Sequence, residues 1–161
     1  MTLKGRSLAA LAAAAVTVST CSRDKAEVTL ALPHPPSVYL LRSHGISIGW
    51  ILQFDLVLQE RAGVGVRLER MEISALDRGT AQAFGVETFE RVTLEQVGLT
   101  ELAPGRRVTY PAQLGLVPAP PQGPIAILIQ IRATDPEGTP ITARLDADYP
   151  LATPPPATPL P

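Results

Sequence analysis

Residues 46–58 read ISIGWILQFDLVL, and their alternation is the clearest structural signal in the chain. An apolar side chain stands at every even position of the stretch, whereas Ser47, Gln53 and Asp55 stand at odd positions. A period of two is typical of a β-strand, because successive side chains of a strand point to opposite faces of the sheet. The stretch therefore predicts a long strand with one face in a core and the other face toward water.

The same alternation returns near the end of the chain. Isoleucine occupies every odd position from Ile125 to Ile131, and residues 141–149 carry a second alternating run. Between the two runs lies DPEGTP, residues 135–140, whose proline and glycine residues favour a turn. Residues 125–149 are therefore predicted to form a β-hairpin.

A further strand is predicted over residues 64–75, but its phase changes along the way. The apolar residues are even-numbered up to Leu68 and odd-numbered from Met71. One residue is therefore surplus, and a β-bulge near Glu69 or Arg70 would keep both sets on the core face.

The remaining segments predict shorter or interrupted strands. Residues 28–32 form an opening strand that prolines bring to an end. Residues 106–117 form a strand with Pro111 inside it, which belongs at an edge or a bulge because proline lacks a backbone N–H. Residues 86–97 fit both a strand and a helix, and we favour strand or irregular structure. We interpret residues 61–63 as a short hairpin loop.

About seven extended segments separated by turns, with no long helix, predict an all-β fold, an antiparallel sandwich with Greek-key connections. With Trp50 in an early core strand, residues 27–150 resemble an immunoglobulin-like or fibronectin type III-like domain. The chain has a single cysteine, Cys21, so it lacks the cysteine pair that bridges the sheets of antibody domains. A small barrel is the alternative fold.

Residues 1–20 have the composition of an export signal peptide. Two basic residues open it, and the apolar stretch that follows is too short to span a bilayer. Its end resembles the signal of bacterial lipoprotein precursors through the box Val18-Ser19-Thr20-Cys21. In this box Thr20 departs from the Gly, Ala or Ser that the family prefers.

The resemblance implies cleavage before Cys21 and acyl chains on that cysteine, so that residues 21–26 form a lipidated start and a short tether. As the only cysteine, Cys21 has no disulfide partner, and acylation would remove a thiol that is exposed to oxidation. Ser22 favours the outer membrane in bacteria that have one. The alternatives are a signal cleaved elsewhere, which would leave Cys21 an ordinary thiol, and an uncleaved buried helix.

The C-terminal residues 151–161 are rich in proline and predict a disordered tail, either a spacer or a ligand for a groove. Charge is nearly balanced, with 14 Lys plus Arg against 15 Asp plus Glu. Such a balance produces no strong field to attract a polyanion, so we expect no nucleic-acid partner.

The motif Gly45-Ile46-Ser47-Ile48-Gly49 matches the Gly-x-Ser-x-Gly nucleophile elbow of serine hydrolases. The elbow requires a helix after the serine and a later histidine, whereas here a strand follows, and both His34 and His44 come earlier. The two histidines have no neighbouring cysteine or matched carboxylate to complete a metal site. We therefore predict no catalytic residue and no cofactor.

Acidic residues near the last hairpin offer oxygen ligands of the kind that calcium binds, namely Asp146 and Asp148 with Asp135 or Glu137. An acidic outer strand face accounts for them equally well, and we predict no metal. The arginines between residues 61 and 78 alternate with acidic residues, which is typical of a solvated face of mixed charge.

The sequence therefore predicts a non-catalytic, membrane-anchored extracytoplasmic lipoprotein, a binding or structural module of the cell envelope. Its expected partners are the membrane, through lipid on Cys21, and an envelope protein or polymer. Contacts are expected at an edge strand or at the loops 33–45, 77–85 and 118–124. One alternative is an envelope accessory or chaperone that adds a long, apolar, proline-free edge strand to a client's sheet. The other is a small serine hydrolase using Ser47.

Overall fold

The computed structural model describes residues 26–43, 46–117 and 124–150, and for residues 43 and 46–48 it describes the backbone alone. The predicted signal peptide, Cys21 and the tail 151–161 lie outside the described residues. The described elements, in chain order, are β1 (Val28–Ala31), β2 (Ser37–Ser43), β3 (Ile46–Glu60), β4 (Val66–Asp77), β5 (Gln82–Glu90), α1 (Arg91–Gln96), β6 (Glu101–Leu102), β7 (Arg107–Leu116), β8 (Ile125–Thr134) and β9 (Pro140–Tyr149).

The long strand β3 is the centre of the first sheet. β7 pairs along one edge of β3, and β1 and β2 follow one another along the other edge, all of them antiparallel to it. Val28 of β1 lies opposite Glu60, and Ser37 of β2 lies opposite Gln53. One strand of 15 residues therefore holds three partners.

The second sheet has the order β5-β4-β8-β9, and the two-residue β6 pairs with β4 on the same edge as β5. Its strands are also antiparallel. The chain passes between the sheets after β3, after β6 and after β7, which are Greek-key connections. The protein is thus an all-β, antiparallel, immunoglobulin-like sandwich, as the sequence predicts.

The described residues form nine strands instead of about seven, because β2 and the two-residue β6 lie outside the predicted strands. Prolines 33, 35 and 36 divide the opening strand, so that a second strand, β2, lies within the segment 33–45 that we expected to be a loop. Residues 86–97 contain both alternatives, since β5 ends at Glu90 and α1 follows directly. Gly98, with φ of 71°, ends this short helix, because a left-handed residue cannot continue it.

The core lies between the sheets and follows the predicted alternation. In β3 the side chains of Leu52, Phe54, Leu56 and Leu58 are buried, whereas Trp50 is only half-buried. The odd-numbered isoleucines of β8 face them from the other sheet and are at most 1% exposed. Burying each such side chain contributes about 1.5–3 kcal/mol relative to leaving it in water.

The predicted bulge in β4 is confirmed. The pairing of β4 with β8 shifts between Leu68 and Arg70, so that Glu69 is the surplus residue. Leu68 and Met71 are both fully buried as a result. The hairpin over residues 125–149 is also confirmed, with β8 and β9 in continuous register from Ile125 opposite Tyr149.

The sheet order tests two predictions, one about the loop after β3 and one about Pro111. The hairpin interpretation of residues 61–63 is wrong, because β3 and β4 belong to different sheets and the loop 61–65 crosses between them. Gly63 and Gly65 in this loop have φ of 78° and 81°, a conformation that side chains rarely adopt. Pro111 lies on an edge strand as predicted, since β7 pairs only with β3 among the described strands.

The two sheets meet at their sides. The N–H of Val117, just after β7, donates to the carbonyl oxygen of Phe84 in β5 at 2.6 Å. A Cβ on Gly85 would collide with the carbonyl oxygen of Gly115, so the missing side chain allows this close approach. On the other side β1 contacts β9.

Candidate functional site

The start of the sandwich lies close in sequence to Cys21. Ala26 is already buried, and β1 begins at Val28. The chain between Cys21 and Val28 spans at most roughly 25 Å even when fully extended. The described residues contain no helix that is long and apolar enough to cross a membrane. Lipidation of Cys21 stays a prediction.

Ser47 lies in the backbone of β3, opposite Arg42 of β2, and strand continues from Ile46 to Glu60. A nucleophile elbow needs a sharp turn from strand into helix directly at the serine. The local structure is therefore the opposite of what the motif requires. His34 is exposed in the turn between β1 and β2, and His44 lies outside the described residues.

The acidic residues of the last hairpin divide into two groups with different partners. Arg78 donates from Nε to Oδ1 of Asp148 at 2.6 Å and from Nη2 to Oδ1 of Asp146. These hydrogen bonds to Asp148 and Asp146 raise the pKa of Arg78. Asp135, in the turn that precedes β9, instead accepts the N–H of Thr139 at 2.6 Å. Over the described ranges, no three His, Cys, Asp or Glu side chains are grouped so that they could hold a metal ion.

The arginines of β4 confirm the interpretation of a mixed-charge face. Arg70 lies 3.2 Å from Glu72 and 3.5 Å from Glu90, and Arg67 lies 3.7 Å from Glu101. These side chains are between 39% and 67% exposed, so water screens the ion pairs and they contribute little to stability.

Glu60 is an exception to that face, because its side chain is fully buried. Its carboxylate accepts backbone N–H groups from Ala62 at 2.8 Å, Gly63 at 2.9 Å and Gly105 at 2.7 Å. Burial by itself raises the pKa of Glu60, but these donors outweigh burial and hold the pKa below its ordinary value. The residue therefore joins two loops as a structural anion.

A cleft of about 550 Å³ lies beside those loops. Its walls are formed by residues 64–67, 101–104 and 134–136 together with Arg106 and Gly138. Its charged side chains include Arg67 and Arg106, with Glu101 next to Arg67. The cleft is at the same end of the sandwich as the start of β1, because the N–H of Arg61 donates to the carbonyl oxygen of Glu27 at 2.9 Å.

A second cluster lies where β5 faces β7. The rings of Phe89 and Tyr110 meet edge to face with their centroids 6.0 Å apart. Burial raises the pKa of Glu87, and burial together with the charge of Glu87 raises the pKa of Tyr110. Perturbed pKa values occur in structural clusters as well as in active sites. The cluster of Glu87 and Tyr110 packs around an aromatic pair, so we interpret it as structural.

The outer edge of β2 has no paired strand among the described residues. β2 pairs with β3 alone, and Tyr39 and Leu41 on its outer face are 36% and 40% exposed. Their neighbours on β3, Ile51 and Gly49, continue this apolar surface. The proline-rich turn before β2 concealed this strand in the sequence, although Val38 and Tyr39 are residues that favour strands.

No protein-family model matches the chain, and no curated protein matches it. Among solved structures, it is similar to a Bordetella pertussis protein that carries the provisional name ApaA. The TM-score is 0.53 at 14% sequence identity, over 83% of this chain and 96% of that one. It is also similar to a second Northeast Structural Genomics Consortium target, with a TM-score of 0.53 at 11% identity, over 84% of this chain and 92% of that one. At these identities the likeness shows the fold alone.

Proposed function

We propose that this protein is a non-catalytic lipoprotein of the cell envelope, anchored through Cys21, whose sandwich is a binding or structural module. The observation that carries the binding role is the outer edge of β2, where two large apolar side chains are exposed beside a strand edge without a described partner. Exposed strand edges bind partners through backbone hydrogen bonds.

Other groups considered for chemistry are occupied by contacts within the fold. Glu60 binds backbone amides, Asp146 and Asp148 bind Arg78, and Asp135 closes a turn. These contacts favour a structural role for the acidic groups, and the strand that continues from Ser47 to Glu60 disfavours a hydrolase that uses Ser47.

The short distance from Cys21 to the sandwich supports the anchored arrangement. Acyl chains on Cys21 would hold the domain within roughly 25 Å of the bilayer, the reach of the extended chain before Val28. The start of β1, which lies at the same end of the sandwich as the cleft, would then stay close to the membrane surface.

The anchor is tested by the intact mass of the full chain purified from bacterial membranes. The expected mass is that of a chain starting at Cys21 plus acyl groups, and Cys21→Ala is expected to lose both the added mass and the membrane association. Ser22→Ala keeps the cysteine and is the matched control. A native chain with an unmodified Cys21 would overturn the anchored function.

An envelope accessory or chaperone that adds β2 to a client's sheet is the second candidate. The sequence SVYLLRS of β2 supports it, because it is apolar at its centre and contains no proline. The test is suppression of aggregation of an unfolding client protein. The double variant Tyr39→Lys, Leu41→Lys is expected to lose this activity, and Val86→Lys, on an exposed site of β5, is expected to keep it.

A further inference from the structure

β2 is protected less than the other edge strands of the sandwich. β7 contains Pro111, and β1 is only four residues long. β5 and β9 contact the opposite sheet at the two sides of the sandwich, through β7 and β1, and carry charged residues. The seven residues of β2 have no proline, one charge and two exposed apolar side chains. A long apolar edge of this kind is a template for another strand.

The order of residues in β2 identifies the strand that fits it. We propose that a second copy of this chain pairs with β2, antiparallel and centred on Leu40. In this register Tyr39 of each copy lies directly opposite Leu41 of the other, and Val38 lies opposite Arg42. Directly opposite residues share one face of a sheet, so each exposed aromatic ring is covered by an exposed leucine.

The outer faces then join into one apolar strip. In each copy Tyr39 lies beside Ile51 of β3, and Leu41 lies beside Gly49, where a missing side chain leaves open space. The register shift within β2 falls between Leu41 and Arg42, so Ser37–Leu41 runs beside β3 without interruption. The two first sheets become one sheet with the order β7-β3-β2-β2-β3-β7.

Charge does not oppose the pairing. Arg42 is the one charged residue of β2, and in this register it faces Val38 of the other copy. The two Arg42 residues lie four positions apart along the strands, about 13 Å. This separation exceeds the screening length of about 8 Å at physiological ionic strength, so their repulsion is small.

The expected dimer is weak in solution and favoured on a membrane. One pair of seven-residue strands buries less than the roughly 800 Å² per partner that stable interfaces bury. The strength of the pairing rests on the proposed function. With the strands lying along the membrane surface, a lipid anchor on each copy confines both copies to one surface and raises their effective concentration.

Cysteine cross-linking in isolated membranes tests the register. Chains with Tyr39→Cys and chains with Leu41→Cys are expressed together or separately and oxidised. The mixture is expected to form a disulfide dimer several-fold more than either chain alone. Opposite Cβ atoms lie about 5 Å apart, whereas the diagonal neighbours that identical chains offer lie about 7–8 Å apart, beyond the reach of a disulfide.

A charge variant provides the second measurement. Tyr39→Lys with Leu41→Lys places lysines opposite lysines and is expected to abolish dimers in native membranes, as detected by amine cross-linking. Both residues are exposed, so the fold is expected to persist. Val86→Lys with Val92→Lys, at valines that are 58% and 66% exposed, is the control and is expected to leave the dimer unchanged.

Three outcomes would overturn the pairing: equal cross-linking with and without mixing, no cross-linked product, or products in which the Tyr39→Cys chain is joined only to a different protein. The last would support strand addition to a client. A disulfide dimer in the native chain would reveal an unmodified Cys21 and count against the anchor instead. The pairing would then be judged on a Cys21→Ala background, so the two failures remain distinguishable.

Discussion

The two ends of the sandwich use carboxylates in opposite ways. The first, called the Glu60 end, consists of the loops 61–65 and 103–106 with the turn 135–139. The second, called the Arg78 end, consists of the turn 78–81 with Asp146 and Asp148 of β9. At the Glu60 end a fully buried carboxylate accepts backbone N–H groups, whereas at the Arg78 end two partly exposed carboxylates surround an exposed guanidinium.

This contrast indicates which charged groups stabilise the fold most. Backbone donors stay in place once the loops are formed, and hydrogen bonds to an ionised acceptor are roughly twice as strong as neutral ones. An exposed ion pair must instead order a long side chain and is screened by salt. Mutations at the Glu60 end are therefore expected to cost more than mutations at the Arg78 end.

The largest effect is expected for Glu60→Ala. The substitution leaves the N–H groups of Ala62, Gly63 and Gly105 without their acceptor. We expect the free energy of unfolding to fall by about 3 kcal/mol, the upper range for hydrogen bonds to a charged group. Urea unfolding at neutral pH measures it, with Glu137→Ala, an exposed carboxyl in the same end, as the control. Equal losses in the two variants would mean that the backbone hydrogen bonds of Glu60 add nothing to what an exposed carboxyl contributes.

The pH dependence of stability is the next expected effect. The pKa of Glu60 is lower in the folded protein than its ordinary value of 4.5, because backbone donors outweigh the effect of burial. The stability it contributes is therefore complete above the unfolded pKa and is lost as the pH falls through the folded pKa. The difference in unfolding free energy between the native chain and Glu60→Gln should be large at neutral pH and should become small as the pH falls below 4.5. A constant difference in urea titrations across that range would contradict this role.

A smaller effect at the same end is expected for Asp135→Ala. Its side chain is 7% exposed, and its carboxylate accepts the N–H of Thr139 at 2.6 Å, which closes the turn between β8 and β9. Loss of this hydrogen bond should lower the free energy of unfolding by about 1.5 kcal/mol. Asp135→Asn keeps an acceptor and a residue that favours turns, so thermal unfolding should show a smaller loss for it. Equal losses in both variants would mean that the hydrogen bond is unimportant.

The two ends also differ in how much of them the sequence predicts. Alternation in β3 and β8 predicts the core, and the phase change in β4 predicts the bulge at Glu69, because periodicity is a local signal. The link that Glu60 makes between two loops is invisible locally, since one of its three donors, Gly105, is 45 residues away in the chain. In sequence Glu60 is one acidic residue among several.

β2 escaped prediction for a different physical reason. Its outer face is exposed, and four residues rich in proline stand directly before it, so the segment has a weak alternation and a strong signal for irregular structure. Its strand conformation comes from pairing with β3. Because β1 covers only the last four residues of one edge of β3, the rest of that edge is available to β2. The exposed edge of β2 could therefore be recognised only once the pairing of β2 with β3 was known.

The smallest effect is expected for Arg78→Ala, which removes both ion pairs of the Arg78 end. The Arg78 side chain is 47% exposed, so water solvates the two carboxylates when the guanidinium is absent. We expect a loss of stability smaller than that of Asp135→Ala, and one that shrinks further in high salt, where screening already weakens the pairs. Thermal unfolding at low and high ionic strength measures both quantities. A double-mutant cycle of Arg78→Ala with Asp148→Ala isolates the coupling between the partners. A coupling as large as the effect of Glu60→Ala would reverse the order of the two ends, because an exposed pair would then hold the fold as firmly as buried backbone donors do.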